Sequence, residues 1–247
     1  MQELSRPIPR QEELSAAGAT APARVLAWDW PTRAFHWLLV ALLVNAWASN
    51  KWGAANPAWH TWNGYAILVL IVFRVLWGFF GGSTARFSSF LSLRRIWPYA
   101  SRMFGAQAQH YLGHNPMGGW MVLGLLAILF AQGALGLFAS DSDRVVIEGP
   151  LAARVSDATV DWASRWHVFG FNLILWLAGL HVAAVIFYET FKRQRLVAAM
   201  FAGYKKGGTY QDAARAEPGS AVAATLCLVA ALVLVFGAIM ALGGRVL

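Results

Sequence analysis

Residues 166–188, WHVFGFNLILWLAGLHVAAVIFY, hold no charged side chain and yet contain two histidines, His167 and His181. As an α-helix rising about 1.5 Å per residue, the stretch is long enough for a bilayer core of about 30 Å. The histidines lie close to four turns apart, displaced by only about 40° around the axis and roughly 21 Å along it. Both therefore look to one side of the helix at different depths. An imidazole in hydrocarbon is costly without a partner, so two on one face point to two buried cofactors stacked across a membrane.

The rest of the chain has the same character. Of 247 residues, 58% are hydrophobic, 13 are Trp and only 13% are charged. That composition belongs to a polytopic membrane protein. Uncharged runs cover residues 34–50, 58–73, 117–139, 166–188 and 221–244, which predicts an all-α integral membrane bundle of five helices. A net charge of +8 raises nucleic acid as a partner, but the charges sort by connection. Fifteen of the 20 Arg and Lys fall in the N-terminal segment, around the second-to-third connection and in the fourth-to-fifth connection. Lys51, Arg144, Arg154, Arg165 and Arg245 fall on the other side. The positive-inside rule then places the N-terminus in the cytoplasm and the C-terminus on the external side, with lipid as the basic face's partner and no nucleic acid. Cys227 is the only cysteine and no C-x-x-C-H occurs, which excludes an internal disulfide and covalent haem.

Three regions are expected: a flexible cytoplasmic tail at 1–24, a transmembrane domain at 25–206, and a linker with the C-terminal transmembrane helix at 207–247. Ala46-Trp47-Ala48 imitates a cleavage site, but acidic Glu3, Glu12 and Glu13 make a poor leader, so the first helix is read as retained. Pro31, Asn56-Pro57 and Asn115-Pro116 mark the starts of the first three spans, and Gly81-Gly82 ends the second. Between the second and third spans, aromatic and aliphatic residues alternate with Arg, as in a segment lying on the membrane surface. The connection at 140–164 carries Asp141, Asp143, Glu148, Asp157 and Asp161, and its length and acidity mark it as the docking surface for an external partner.

Alternating helix directions turn the histidines into a geometry. His167 and His60 fall at the external depth, and His181 and His36 at the cytoplasmic depth. A structural zinc site wants four close ligands, whereas a porphyrin iron needs only two axial imidazoles. Gly64 and Gly170 remove side chains where a flat macrocycle would approach. Two non-covalent haem b groups fit the count, one on His36 and His181, the other on His60 and His167.

The pieces WDWPTRAFHW, HTWNGYAILVLIVFRVLWGF, YLGHNPMGGWM and LHVAAVIFYE resemble the bacterial cytochrome b561 family, which includes the b-type cytochrome subunit of nickel-iron hydrogenases. The resemblance covers about residues 25–206. It implies a four-helix di-haem core with ligands His36, His60, His167 and His181, to which the fifth helix is an addition.

Two other residues have two readings each. Arg74 either snorkels to cytoplasmic headgroups or pairs with a haem propionate. His114 either caps the third helix or makes a polar contact to the cytoplasmic-side haem or a quinone headgroup. The pairs Arg94-Arg95 and Lys205-Lys206 suit anionic headgroups. The expected function is electron transfer between a periplasmic redox partner (a hydrogenase, a cytochrome c or a dehydrogenase) and the quinone pool, with quinone oxidoreductase activity as the accompanying chemistry. Two alternatives from other classes are a transporter using histidine relays and a haem-bearing membrane anchor for an enzyme subunit.

Overall fold

Local start signals position each long helix in the computed structural model, which describes residues 24–52, 57–103, 109–141, 147–213 and 215–246. Most of the expected tail, the Asn56 start signal, Asp143 and Arg144 lie outside those residues. Strand β1, Arg24–Leu26, leads into α1, Trp30–Trp52, whose first turn is capped by Asp29 Oδ1 accepting the Thr32 N–H at 3.1 Å. Helix α2, Pro57–Phe80, is followed by two short surface helices, α3 at Phe87–Phe90 and α4 at Leu93–Arg102. Helix α5, Pro116–Gly136, opens with the Gly118 N–H on Asn115 Oδ1 at 2.7 Å. A small hairpin of β2, Ser140–Asp141, and β3, Ile147–Glu148, precedes α6, Asp157–Thr190. Then come α7, Leu196–Ala202, β4, Tyr204–Lys206, and α8, Ala221–Ala241.

Among the described residues, four helices are long and apolar enough to cross a membrane: α2, α5, α6 and α8. Helix α1 has the length, about 35 Å at 1.5 Å per residue, but is more polar. Part of that polarity is used inside the bundle. Asn45 Nδ2 donates to Asn63 Oδ1 at 2.7 Å and Asn63 Nδ2 donates to the Leu42 carbonyl at 3.0 Å, joining α1 to α2.

Helix α2 is the centre of the bundle, packing on α1, α5 and α8, while α6 rests on α5. The α2–α8 seam is built from Ala224, Cys227, Ala231, Val235 and Ile239, a mostly small-residue stripe that lets the backbones approach. The helices alternate in direction, so two ends can be named. The starts of α1, α5 and α8 and the ends of α2 and α6 meet at the sheet end, where β1 pairs antiparallel with β4, Val25 opposite Lys205. The opposite, hairpin end carries β2 and β3.

Two features differ from the sequence reading. The uncharged run at 166–188 is only the inner part of α6, which starts nine residues earlier behind a Ser156 cap. Asp157, Asp161 and Arg165 are exposed on those extra turns, and the connection at 140–164 is thus a hairpin, a single 3-10 turn at Ala152–Arg154 and the head of a helix. The β1–β4 pairing is the second, since strands of three residues carry no usable alternation.

Asp29 holds the sheet end together. Its carboxylate, on a residue 5% exposed, also accepts Trp77 Nε1–H at 3.5 Å and the Gly82 and Gly219 N–H groups at 3.2 and 3.3 Å. One side chain thereby ties the start of α1 to the end of α2 and the approach to α8. Asp29→Ala strands several buried donors at about 1–3 kcal/mol each, so thermal unfolding in detergent is expected to show a loss of at least about 3 kcal/mol. An unchanged midpoint would contradict this role.

Candidate cofactor-binding site

The bundle brings the four histidines of its long helices together in two pairs. At the hairpin end, His60 of α2 and His167 of α6 face each other with ring centroids 6.3 Å apart. At the sheet end, His36 of α1 and His181 of α6 lie 6.5 Å apart. Among the described residues no cluster of three or more His, Cys, Asp or Glu could hold a metal ion. Each pair thus offers two nitrogen donors and nothing more. Two imidazoles on one iron, with bonds of about 2 Å, have ring centres roughly 6 Å apart. Both pairs have that spacing, so the donor set fits a haem that brings its own equatorial ligands.

Hydrogen bonds prepare the hairpin-end pair for such a role. His167 Nδ1 lies 3.0 Å from the Gln132 carbonyl, which can only accept, so Nδ1 carries the proton and Nε2 keeps its lone pair. Gln132 Nε2 in turn donates to the His167 carbonyl at 2.9 Å, a reciprocal pair that locks α5 to α6 at this level. His60 Nδ1 lies 3.1 Å from Ser49 Oγ. The Ser49 hydroxyl already donates to the Ala46 carbonyl at 2.9 Å, so toward His60 it accepts, and His60 Nε2 is likewise free.

A cavity of about 500 Å³ is lined by both histidines and by Gly64, Tyr65, Gly133, Gly136 and Arg165. Its size is within the range of about 300–1,000 Å³ found for cofactor pockets. A Cβ at position 64 would meet nothing within 4 Å, so Gly64 faces open space. Gly136 has a different duty: a Cβ there would come within 2.9 Å of His167 Cε1, so the glycine seats the ring. Gly170 does not border the cavity. It is buried in the α5–α6 seam, where a Cβ would strike Gln132 Oε1.

At the sheet end the surroundings are unlike those of the other pair. Arg74 is 2% exposed and so does not snorkel to the surface. Its Nη2 donates to the Ala85 carbonyl at 3.1 Å and its guanidinium lies 5.3 Å from the Phe87 ring centre, while Nη1 is buried without a partner. His114 packs between Trp28 and Phe90, with centroids 4.7 and 4.6 Å away, and its Nδ1 also lacks a partner. It does not cap α5, because Asn115 does. Burial first, then the nearby charges of Arg74 and Lys205, push the His114 pKa down to about 3, so the ring is neutral. His36 Nδ1 and Trp120 Nε1 are further buried polar atoms without partners. Orphaned donors of this kind suit a ligand carrying anionic groups.

Several contributors lie outside the sequence reading. Ser49 and Gln132 act on the histidine rings from α1 and α5. Asp212 accepts the Leu112 and Gly113 N–H groups at 2.6 and 2.7 Å and so holds the loop that presents His114. Lys205, expected from the sequence at anionic headgroups, donates its Nζ to the Tyr111 carbonyl at 2.9 Å, and burial lowers its pKa to about 8 against the opposing pull of Asp212.

Comparison with known proteins gives this geometry a family. No curated protein matches the chain. The family described as prokaryotic cytochrome b561 matches residues 27–203, well over half of the 247 residues, from just before α1 to just beyond α7, leaving α8 outside. The chain therefore belongs to the prokaryotic cytochrome b561 family of membrane proteins, whose work is electron transfer through b-type haem.

Proposed function

We propose that the chain is a di-haem cytochrome b that moves single electrons between a periplasmic redox protein and membrane quinone. The observation that carries this reading is the pairing of four histidines at two depths, each pair at the separation of two axial ligands on one iron. Haem, when bound, supplies the ferric/ferrous couple; the chain supplies position. His60 and His167 present Nε2 at the hairpin end because Ser49 and the Gln132 carbonyl occupy their Nδ1 atoms. His36 and His181 take the corresponding part at the sheet end. Gly64 leaves room beside the hairpin-end rings, and Arg74 with His114 would meet polar groups at the sheet end. Because α6 is continuous from Asp157 to Thr190, it fixes the two sites roughly 21 Å apart along its axis.

Charge supports the orientation. Arg33, Arg86, Arg94, Arg95, Arg102, Lys192, Arg193, Arg195 and Lys206 gather at the sheet end, which the positive-inside rule assigns to the cytoplasm. Glu148, Asp157 and Asp161 are exposed at the opposite end and suit docking of a basic redox protein. A histidine relay is disfavoured, because between His167 and His181 helix α6 offers no titratable side chain and only the amide of Asn172. Gln132 is bonded to His167, and Asn172 Nδ2 donates within its own helix to the Val168 carbonyl at 3.1 Å.

Purified protein is expected to show a b-type band in its reduced-minus-oxidised spectrum and two haems per chain. One haem per chain, or no such band, would contradict the reading. Reporter fusions at the two ends are expected to place the N-terminus in the cytoplasm and the C-terminus in the periplasm; the reverse result would invert the orientation and the side on which a partner docks.

A further inference from the structure

Helix α4 and its arginines take no part in the site described above, and we propose that α4 lies in the membrane interface at the sheet end and binds an anionic phospholipid, with its Leu93–Trp97 edge among the acyl chains and Arg94 on the phosphate. The inference stands apart from the di-haem reading, because it rests on one surface helix and uses none of the paired histidines.

Depth is the first ground. Helix α4 falls between the end of one span at Phe80 and the start of the next at Pro116. Tyr99, 7% exposed, is the residue that α4 turns inward. Tyr188 donates to Met103 Sδ at 3.8 Å, which leaves Tyr99 as the donor in its 2.8 Å bond to the Tyr188 hydroxyl. Tyr188 is the last residue of the uncharged run of α6, the level at which hydrocarbon gives way to headgroups. The Tyr99–Tyr188 bond therefore holds α4 at that level.

The faces of the helix agree with that depth. Leu93 and Trp97, one turn apart, are 70% and 80% exposed, and Phe79 and Phe80 at the end of α2 are exposed as well. Such a patch is unfavourable against water, whereas an amphipathic helix in a bilayer surface buries its apolar edge and keeps Trp at the headgroups. Arg94 stands one turn from Trp97 on the same flank, while Arg95 and Arg102, seven residues apart, share the opposite side. All three are exposed, and no Asp or Glu occurs from residue 30 to residue 140. A negatively charged leaflet supplies the missing counter-charge, and Arg94, beside the apolar edge, is the arginine that meets a phosphate. A soluble acidic partner would match the arginines but not the depth at which Tyr188 holds the helix.

Native mass spectrometry of the full chain, purified in detergent and offered equal amounts of dioleoyl phosphatidylglycerol and dioleoyl phosphatidylcholine, tests this. One arginine at an anionic surface changes partitioning roughly fivefold. Wild type is expected to retain phosphatidylglycerol over phosphatidylcholine by at least about that factor. Arg94→Gln is expected to remove most of the preference and Arg102→Gln little of it, while Trp97→Ser lowers retention of both lipids alike. Equal retention of the two lipids by wild type, an undiminished preference in Arg94→Gln, a larger loss in Arg102→Gln than in Arg94→Gln, or retention unmoved in Trp97→Ser would overturn the site. Haem content, measured on the same samples, tests the di-haem reading separately.

Discussion

A neutral imidazole inside an apolar bundle has one N–H and one bare nitrogen, and hydrocarbon satisfies neither. That constraint organises this protein. At the hairpin end the N–H half is met by protein oxygens, the Gln132 carbonyl for His167 and Ser49 Oγ for His60. Each ring keeps a bare nitrogen, and the ring centroids lie 6.3 Å apart, the spacing of two axial ligands on one iron. The reciprocal bonds between Gln132 and His167 do a second task by fixing α6 on α5. Helix α6 can therefore stand off from α1 and α2 and leave space for a cofactor without losing its register.

The sheet end solves a different problem, since several chain segments converge there and leave backbone donors inside. Asp29 gathers three of them together with the Trp77 indole N–H, and the three-residue strands β1 and β4 bring the segment after α7 back against the entry to α1. Arg33 and Trp37 reinforce the join by donating to the Phe201 and Met200 carbonyls at 2.6 and 3.3 Å. The result is a rigid frame around His36, His114 and Arg74. Helix α8, outside the family match, covers α2 through its small-residue seam and contributes none of the paired histidines.

Much of this was legible in the residues. Proline and asparagine start signals located α1, α2 and α5, and helix direction alone matched His36 with His181 and His60 with His167 by depth. These succeed because they depend on local chemistry and on the helical repeat. What escaped has partners distant in sequence: Asp29 with Gly219, Asp212 with Leu112 and Gly113, and Gln132 with His167. No periodicity announces such contacts. The early start of α6 escaped for another reason, because its first turns are charged and lie beyond the apolar run by which a span is recognised. Gly170 and Gly136 show the same limit: in sequence both are glycines near a histidine, and only packing assigns one to a helix seam and the other to the seat of a ring.

The central claim is that the histidines act as two fixed pairs. The most direct measurement is the haem-to-protein ratio in double alanine variants at these positions. Within a pair, His36→Ala with His181→Ala is expected to leave one haem per chain, as is His60→Ala with His167→Ala. Across pairs, His36→Ala with His60→Ala is expected to leave none. A within-pair variant that loses both haems, or a cross-pair variant that keeps one, would contradict the pairing.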